Sequence, residues 1–299
     1  MGAPAYAHPA MLASERPVRL AAFGELLWDV YPKARLLGGA PANVAFHADA
    51  AGAEAMLISR VGADALGHQA CVQLAAAGVD VSLVGRDPDH PTGSVTVTLG
   101  PDGPSYAIEQ GAAWDFILPS PEITAALAQV DVFCFGSLAQ RSAVSRNTLR
   151  KLVTLLHASQ ARPLLVFDLN LRPPFVELDL VLESIAMAQL IKLNDDELSW
   201  LQTTLGFADG VRWLLEQGPS KHVALTRGAE GATIITATER IDCAGFESSG
   251  SDPVGAGDAF TATLAVEIAR STPLDRALRR ACERGAWVAG KAGAMPAQD

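Results

Sequence analysis

The stretch Ser251–Phe260, SDPVGAGDAF, sets Gly255, Ala256 and Gly257 directly before an acid, Asp258. The run that follows, AFTATLAVEIA, is apolar on nearly every face and predicts a buried helix starting at or just before Asp258. The first N–H groups of such a helix have no intrahelical partner, and with the macrodipole they make a site for an anion. Small residues ahead of the helix let a phosphate approach the main chain. A carboxylate beside a phosphate is repelled by it. Asp258 is therefore costly there unless it handles a proton, and the matching donor is a hydroxyl about to attack phosphorus. Taken alone, the same letters also fit a loop closed by an N-cap at Asp258. They do not fit a dinucleotide-binding fingerprint, because Phe260 stands where the third glycine belongs and the string lies near the C-terminus.

Such a turn needs a large frame, and 299 residues can bury a large core. From Val18 onward, strand-like apolar runs alternate with helical stretches, which implies an α/β fold: a mainly parallel, doubly wound sheet covered by helices on both faces. No repeat or low-complexity linker divides residues 18–299, so they read as one domain, preceded by a loose Ala- and Pro-rich tail over 1–17. Between Thr92 and Phe116 the pattern changes. Val95, Val97 and Leu99 alternate with Ser94, Thr96 and Thr98 around a PDGPS turn, the signature of a half-exposed hairpin that needs a partner. The net charge of −10, with no long basic run, argues against nucleic-acid and anionic-membrane surfaces. Cys71, Cys134, Cys243 and Cys282 are scattered, without zinc spacing or a disulfide framework. No apolar run approaches the roughly 18 residues of a membrane span, and the N-terminus lacks the features of a signal peptide, so a cytoplasmic location is expected.

Other polar residues sit where strands give way to turns. Asp29 follows the first strand among apolar neighbours, as a turn residue or as an acceptor for a polyol. Gly38 and Gly39 open a helix that carries Asn43. Ser137 and Gln140 follow the break at Gly136, either lining a pocket or capping a helix. Asp168, Asn170 and Arg172 end another strand in polar residues, as a strand-end salt bridge would. Asn194 and Glu197 have the spacing of a capping box. Thr226, Gly228 and Gly231 read as a hairpin turn.

These stretches together resemble the ribokinase (PfkB) family of carbohydrate kinases, and GELLWDVYP, LGGAPANVAFH and AMLISRVGADALG are most similar to its bacterial fructokinases. The resemblance implies a ribokinase-like fold with a small β lid formed mainly by about 92–116 plus a segment near 29–37. It implies that Asp258 is the base, that the Gly255, Ala256 and Gly257 amides form an anion hole, and that Asp29, Gly38, Gly39, Asn43, Gln140 and Arg172 meet the sugar or phosphate. Asn194, Thr226, Gly228, Gly231, Gly257 and Cys282 would face ATP. Glu197 would hold Mg²⁺ through water, and Asp252 would help bind K⁺. Pro253 stands where the family has Thr, and Cys282 where Asn is common. The implied reaction is transfer of the γ-phosphate of ATP to a primary hydroxyl, with D-fructose as acceptor and a homodimer formed through the lids. Ketodeoxygluconate, ribose, a nucleoside, or an idle sugar-binding regulator are the alternatives.

Overall fold

The computed structural model describes residues 16–100, 103–248, 250 and 253–298. The expected tail lies outside these residues except for Arg16 and Pro17, and Arg16 is already anchored by Asp131 at 2.7 Å.

A nine-stranded sheet forms the frame. Its middle strands are β1 (Arg19–Phe23), β4 (Glu54–Gly62), β8 (Val132–Gly136), β9 (Leu164–Asp168), β10 (Leu190–Asn194) and β11 (His222–Thr226), flanked by β5 (Val84–Asp87) at one edge and by β12 (Ala232–Ile235) and β13 (Arg240–Cys243) at the other. Within this sheet β12 runs antiparallel to both its neighbours, β11 and β13, and the other pairings are parallel. The strands are apolar throughout because both faces are covered. Leu20 and Ala22 of β1 pack with helices α1 (Ala40–Ala50), α8 (Ala256–Ala269) and α9 (Leu274–Ala289). Ala21 and Phe23 point the other way, toward α4 (Ala143–Ala158) and α5 (Leu178–Met187). Helix α8 is buried from Ala259 to Glu267, as its all-round apolar sequence requires.

The lid is a separate sheet in the order β3 (Arg35–Gly38), β2 (Leu27–Val30), β6 (Gly93–Gly100), β7 (Gly103–Ile108). Two expectations change here. Ala113–Phe116 forms a 3₁₀ turn whose Trp114 is fully buried in the main core, so the chain leaves the lid earlier than expected. Of the alternating apolar residues, Val95 and Val97 are already buried within the protomer, clustered with Leu27 of the neighbouring β2 and with Tyr31 and Ile108 packed against them.

Candidate active site

Parallel strands deliver their C-terminal ends to one rim, and the polar residues gather there. Glu25 follows β1, Gly136 and Ser137 end β8, Asp168 and Asn170 end β9, and together with Asp258 they line one cleft. The cleft floor is the first turn of α8. Pro253 to Ala256 form a turn closed by the Ala256 N–H donating to Pro253 O (3.1 Å). Gly255, at φ 81 and ψ −10, holds the left-handed position that a type II turn demands. A side chain there would also strike Ala294, 2.6 Å from its Cα. The Ala256 amide is thus turned into the loop, which departs from the expected three-amide cradle. Asp258 is at the third helical position and caps nothing: its Oδ2 instead accepts from Asn43 Nδ2 at 2.7 Å. Burial pushes the Asp258 carboxyl up to about 6, Asp168 pushes the same way, and Asn43, Lys192 and Arg172 oppose them.

Asn43 reaches this point because α1 starts at Ala40, immediately after Gly39, whose φ of 107 and whose virtual Cβ, 2.3 Å from Glu25 O, both require glycine. Its Oδ1 is buried and has no hydrogen-bond partner among the described residues. Asp29 lies on β2 of the lid with its carboxylate across Gly38, where a Cβ would sit 2.4 Å from Oδ2. Burial raises Asp29 to about 6 against the nearby charge of Arg172. Arg172 itself is exposed, bonds the Leu171 carbonyl, and its charge reaches Glu25, Asp29 and Asp258 alike.

The remaining expected residues separate into two groups. Asn194 and Glu197 make a full capping box: Glu197 N–H donates to Asn194 Oδ1 (2.9 Å) and Asn194 N–H to Glu197 Oε2 (2.8 Å). Glu197 Oε1 accepts the Leu171 N–H, tying the box to the loop that carries Arg172. Burial first, and Asp168 second, raise the Glu197 carboxyl. Each oxygen keeps a lone pair, so this hard carboxylate fits a role in orienting the waters of a divalent cation. Thr226, Gly228 and Gly231 form the β11–β12 turn beside β13, with open space over Gly228. Cys282 is buried on α9 nearby, its thiol raised to about 12 by burial and by Cys243. Gln140 does not reach the cleft. The 3₁₀ turn after β8 swings its amide to Gly136 O (2.8 Å) and Ser184 Oγ (2.9 Å), so it fastens α5. Asp252 lies outside the described residues.

Two cleft residues, Glu25 and Thr261, escaped sequence reasoning, as did Lys192, which bonds the cleft residue Asp168. Lys192 Nζ donates to Asp168 Oδ1 (3.0 Å), and the Thr261 hydroxyl lies 2.9 Å from Asp168 Oδ2. A lysine inside the apolar strand LIKLN was the available signal, since a buried ammonium requires a partner. Glu25 is buried and accepts the Ala40 N–H at 3.3 Å; burial raises it to about 7.

A parallel sheet with a four-stranded lid, and a glycine turn feeding a buried helix with an acid in its first turn, define a class of sugar-phosphorylating enzymes. The chain belongs to the pfkB family carbohydrate kinases, whose profile matches residues 34–299. A sugar kinase of Pyrococcus horikoshii, itself uncharacterized, is 31% identical over 80% of this chain and 75% of its own. The crystal structure of that protein in complex with ATP aligns with a TM-score of 0.81 at 26% identity, covering 92% of this chain and 94% of that one. Fructokinase-2 of Solanum habrochaites is 29% identical, over 93% of this chain and 92% of its own. The structure of a Xylella fastidiosa fructokinase with bound ATP has a TM-score of 0.81 at 25% identity, covering 93% and 94% of the two chains. The family and the ribokinase-like fold expected from the sequence are both found. Among the described residues no helix is long and apolar enough to cross a membrane.

Proposed function

We propose that the protein transfers the γ-phosphate of ATP to the primary hydroxyl of a monosaccharide, D-fructose first among them. The observation that carries this reading is the Asp258 carboxylate, held by Asn43 in the first turn of α8 and facing the cleft. Asp258 takes the hydroxyl proton as the oxygen attacks phosphorus. The first-turn amides of α8 and the Arg172 guanidinium offset the charge on the transferring group. Asp29 and the unpaired Asn43 Oδ1 accept sugar hydroxyls, while the lid limits water. Glu197 would hold Mg²⁺ through water, and the metal would supply charge neutralisation for the phosphates. The turn at Thr226–Gly231 and the Cys282 end of α9 receive the nucleoside.

Fructose is favoured over an acidic substrate because Glu25 lines the cleft and Asp29 lies on the lid beside Gly38, and over ribose and nucleosides by the named fructokinase relatives. A panel of sugars with ATP and Mg²⁺ tests it. D-Fructose should show kcat/KM well above ribose, ketodeoxygluconate and adenosine, and equal rates on all four would reject fructose as the substrate. A homodimer through the lids belongs to the same proposal. It would use the open edges of β3 and β7, since Val95 and Val97 are already covered, and light scattering showing only monomer at micromolar concentration would exclude it.

A further inference from the structure

Lys192 and Asp168 are register partners on the neighbouring parallel strands β10 and β9, so their side chains project side by side toward the same face. Both are buried, and their 3.0 Å contact lies directly under the first turn of α8. A Cβ on Gly257 would sit 3.2 Å from Lys192 Nζ, so the ammonium lies close against the first turn of α8. From the other oxygen of Asp168 the contact runs to Thr261, whose hydroxyl is also 2.9 Å from Gly257 O. The pair is therefore wired to both ends of the turn that holds Asp258.

We propose that Lys192 is a positioning residue for phosphoryl transfer: seated on Asp168 beneath Gly257, it fixes the first turn of α8 and offsets the negative charge of Asp168 beside Asp258. The inference rests on Asp258 being the base. The charged groups facing Asp258 are Asp168 from β9, Lys192 from β10, Arg172 from the loop after β9 and Glu25 from the loop after β1; α1 contributes the neutral Asn43. Two of these are acids and two are cations, so removing members of the pair should move Asp258 in opposite directions. Lys192→Met raises its midpoint and Asp168→Asn lowers it. These shifts follow from charge alone, so the split between kcat and KM is what separates a positioning role from a purely structural one.

The test is carboxyl ¹³C NMR of aspartate-labelled protein, with Asp258→Asn identifying the resonance, so that the readout needs no substrate. Lys192→Met should raise the Asp258 midpoint by about 0.5 or more, Asp168→Asn should lower it, and the double variant should fall between the two. The double variant replaces an ion pair by a neutral pair and guards against misfolding of either single change. If Lys192→Met does not fold, its effect is read between Asp168→Asn and the double variant, and if neither single folds, the double against wild type should show a lowered midpoint, since Asp168 outweighs Lys192 at Asp258. Folded variants in which Asp258 does not move, or moves the same way in both singles, overturn the proposal. Kinetics on whichever sugar proves active should show Lys192→Met lowering kcat more than it raises the KM for sugar. A sugar panel without activity alongside opposed NMR shifts would reject the kinase reading while leaving the electrostatic role of Lys192 standing.

Discussion

An aspartate pushed up to about 6 is half-protonated at about that pH and mostly ionised at neutral pH, where a base must be free. A protonated Asp258 cannot accept the hydroxyl proton, so kcat/KM should fall about tenfold for each pH step below about 6, and a pH–rate profile measures this directly. Asp258→Asn keeps size and helix position but removes the base. Its kcat should drop about 10²–10⁴-fold with sugar and ATP affinity retained by calorimetry, and retention of more than about a tenth of turnover, with chemistry rate-limiting, would reduce Asp258 to a structural residue. Asp29→Ala should instead raise the sugar KM about 10–100-fold, because it removes a charged acceptor and leaves substrate hydroxyls unpaired. Asp258, Asn43 and the Asn194–Glu197 box were legible because each sits in a short string whose spacing carries its meaning. Lys192 and Glu25 were not, because what defines them is contact with distant segments: Lys192 with Asp168, 24 positions away, and Glu25 with Ala40, 15 away. Gln140 was misplaced for a related reason. A strand end fixes where a residue starts, and the following 3₁₀ turn decides where its side chain goes.

Helices and strands were largely readable, since their apolar periods reflect the faces they bury. Helix α8 begins at Ala256, close to the expected start, and the β11–β12 hairpin follows the glycines. The return from the lid was less legible, because Trp114 and Phe116 look alike in a strand or in a core-bound turn. One link between elements lay beyond any local pattern. His47 on α1 is fully buried, and its ring bonds the Ala294 carbonyl at 2.9 Å. Arg284 approaches the other nitrogen at 3.0 Å, and because guanidinium only donates, the Nε2 of His47 carries the proton toward Ala294. Ala294 in turn packs on Gly255, so this contact connects α1 to the turn before α8. Burial lowers His47 to about 4, and the charge of Arg284 adds to that. The unfolded chain therefore binds the extra proton first as pH falls. The contribution of His47 is whole above its ordinary value of 6.5 and is lost as pH drops through about 4. His47→Gln should cost about 1–3 kcal/mol in urea unfolding at pH 7.5, and the difference from wild type should shrink at pH 5. An equal difference at both pH values would show that the imidazole is not held neutral.

Across the whole molecule the acids outnumber the bases, 33 to 23, and three of them, Glu25, Asp168 and Asp258, line a single cleft. Composition revealed the excess, but only the topology, with parallel strands ending at one rim, decides that Glu25, Asp168 and Asp258 share a site. Their cost to the fold can be measured at Glu25. Burial raises its carboxyl from an ordinary 4.5 to about 7, with Asp258 adding to the rise and Arg172 resisting it. Between those two pH values the folded protein holds a proton that the unfolded chain has lost, so Glu25 destabilises the fold increasingly as pH rises through about 7. Glu25→Gln keeps the length of the side chain and an oxygen able to accept the Ala40 N–H, and removes only the charge. The variant should melt about 2–4 °C above wild type at pH 8, for a gain on the order of 1 kcal/mol. At pH 4.5 both proteins carry a neutral group at this position when folded, and the gain should vanish. Scanning calorimetry at the two pH values decides it: a difference in Tm that is the same at both would mean that the substitution acts through packing, and that the cleft does not hold Glu25 against its own charge.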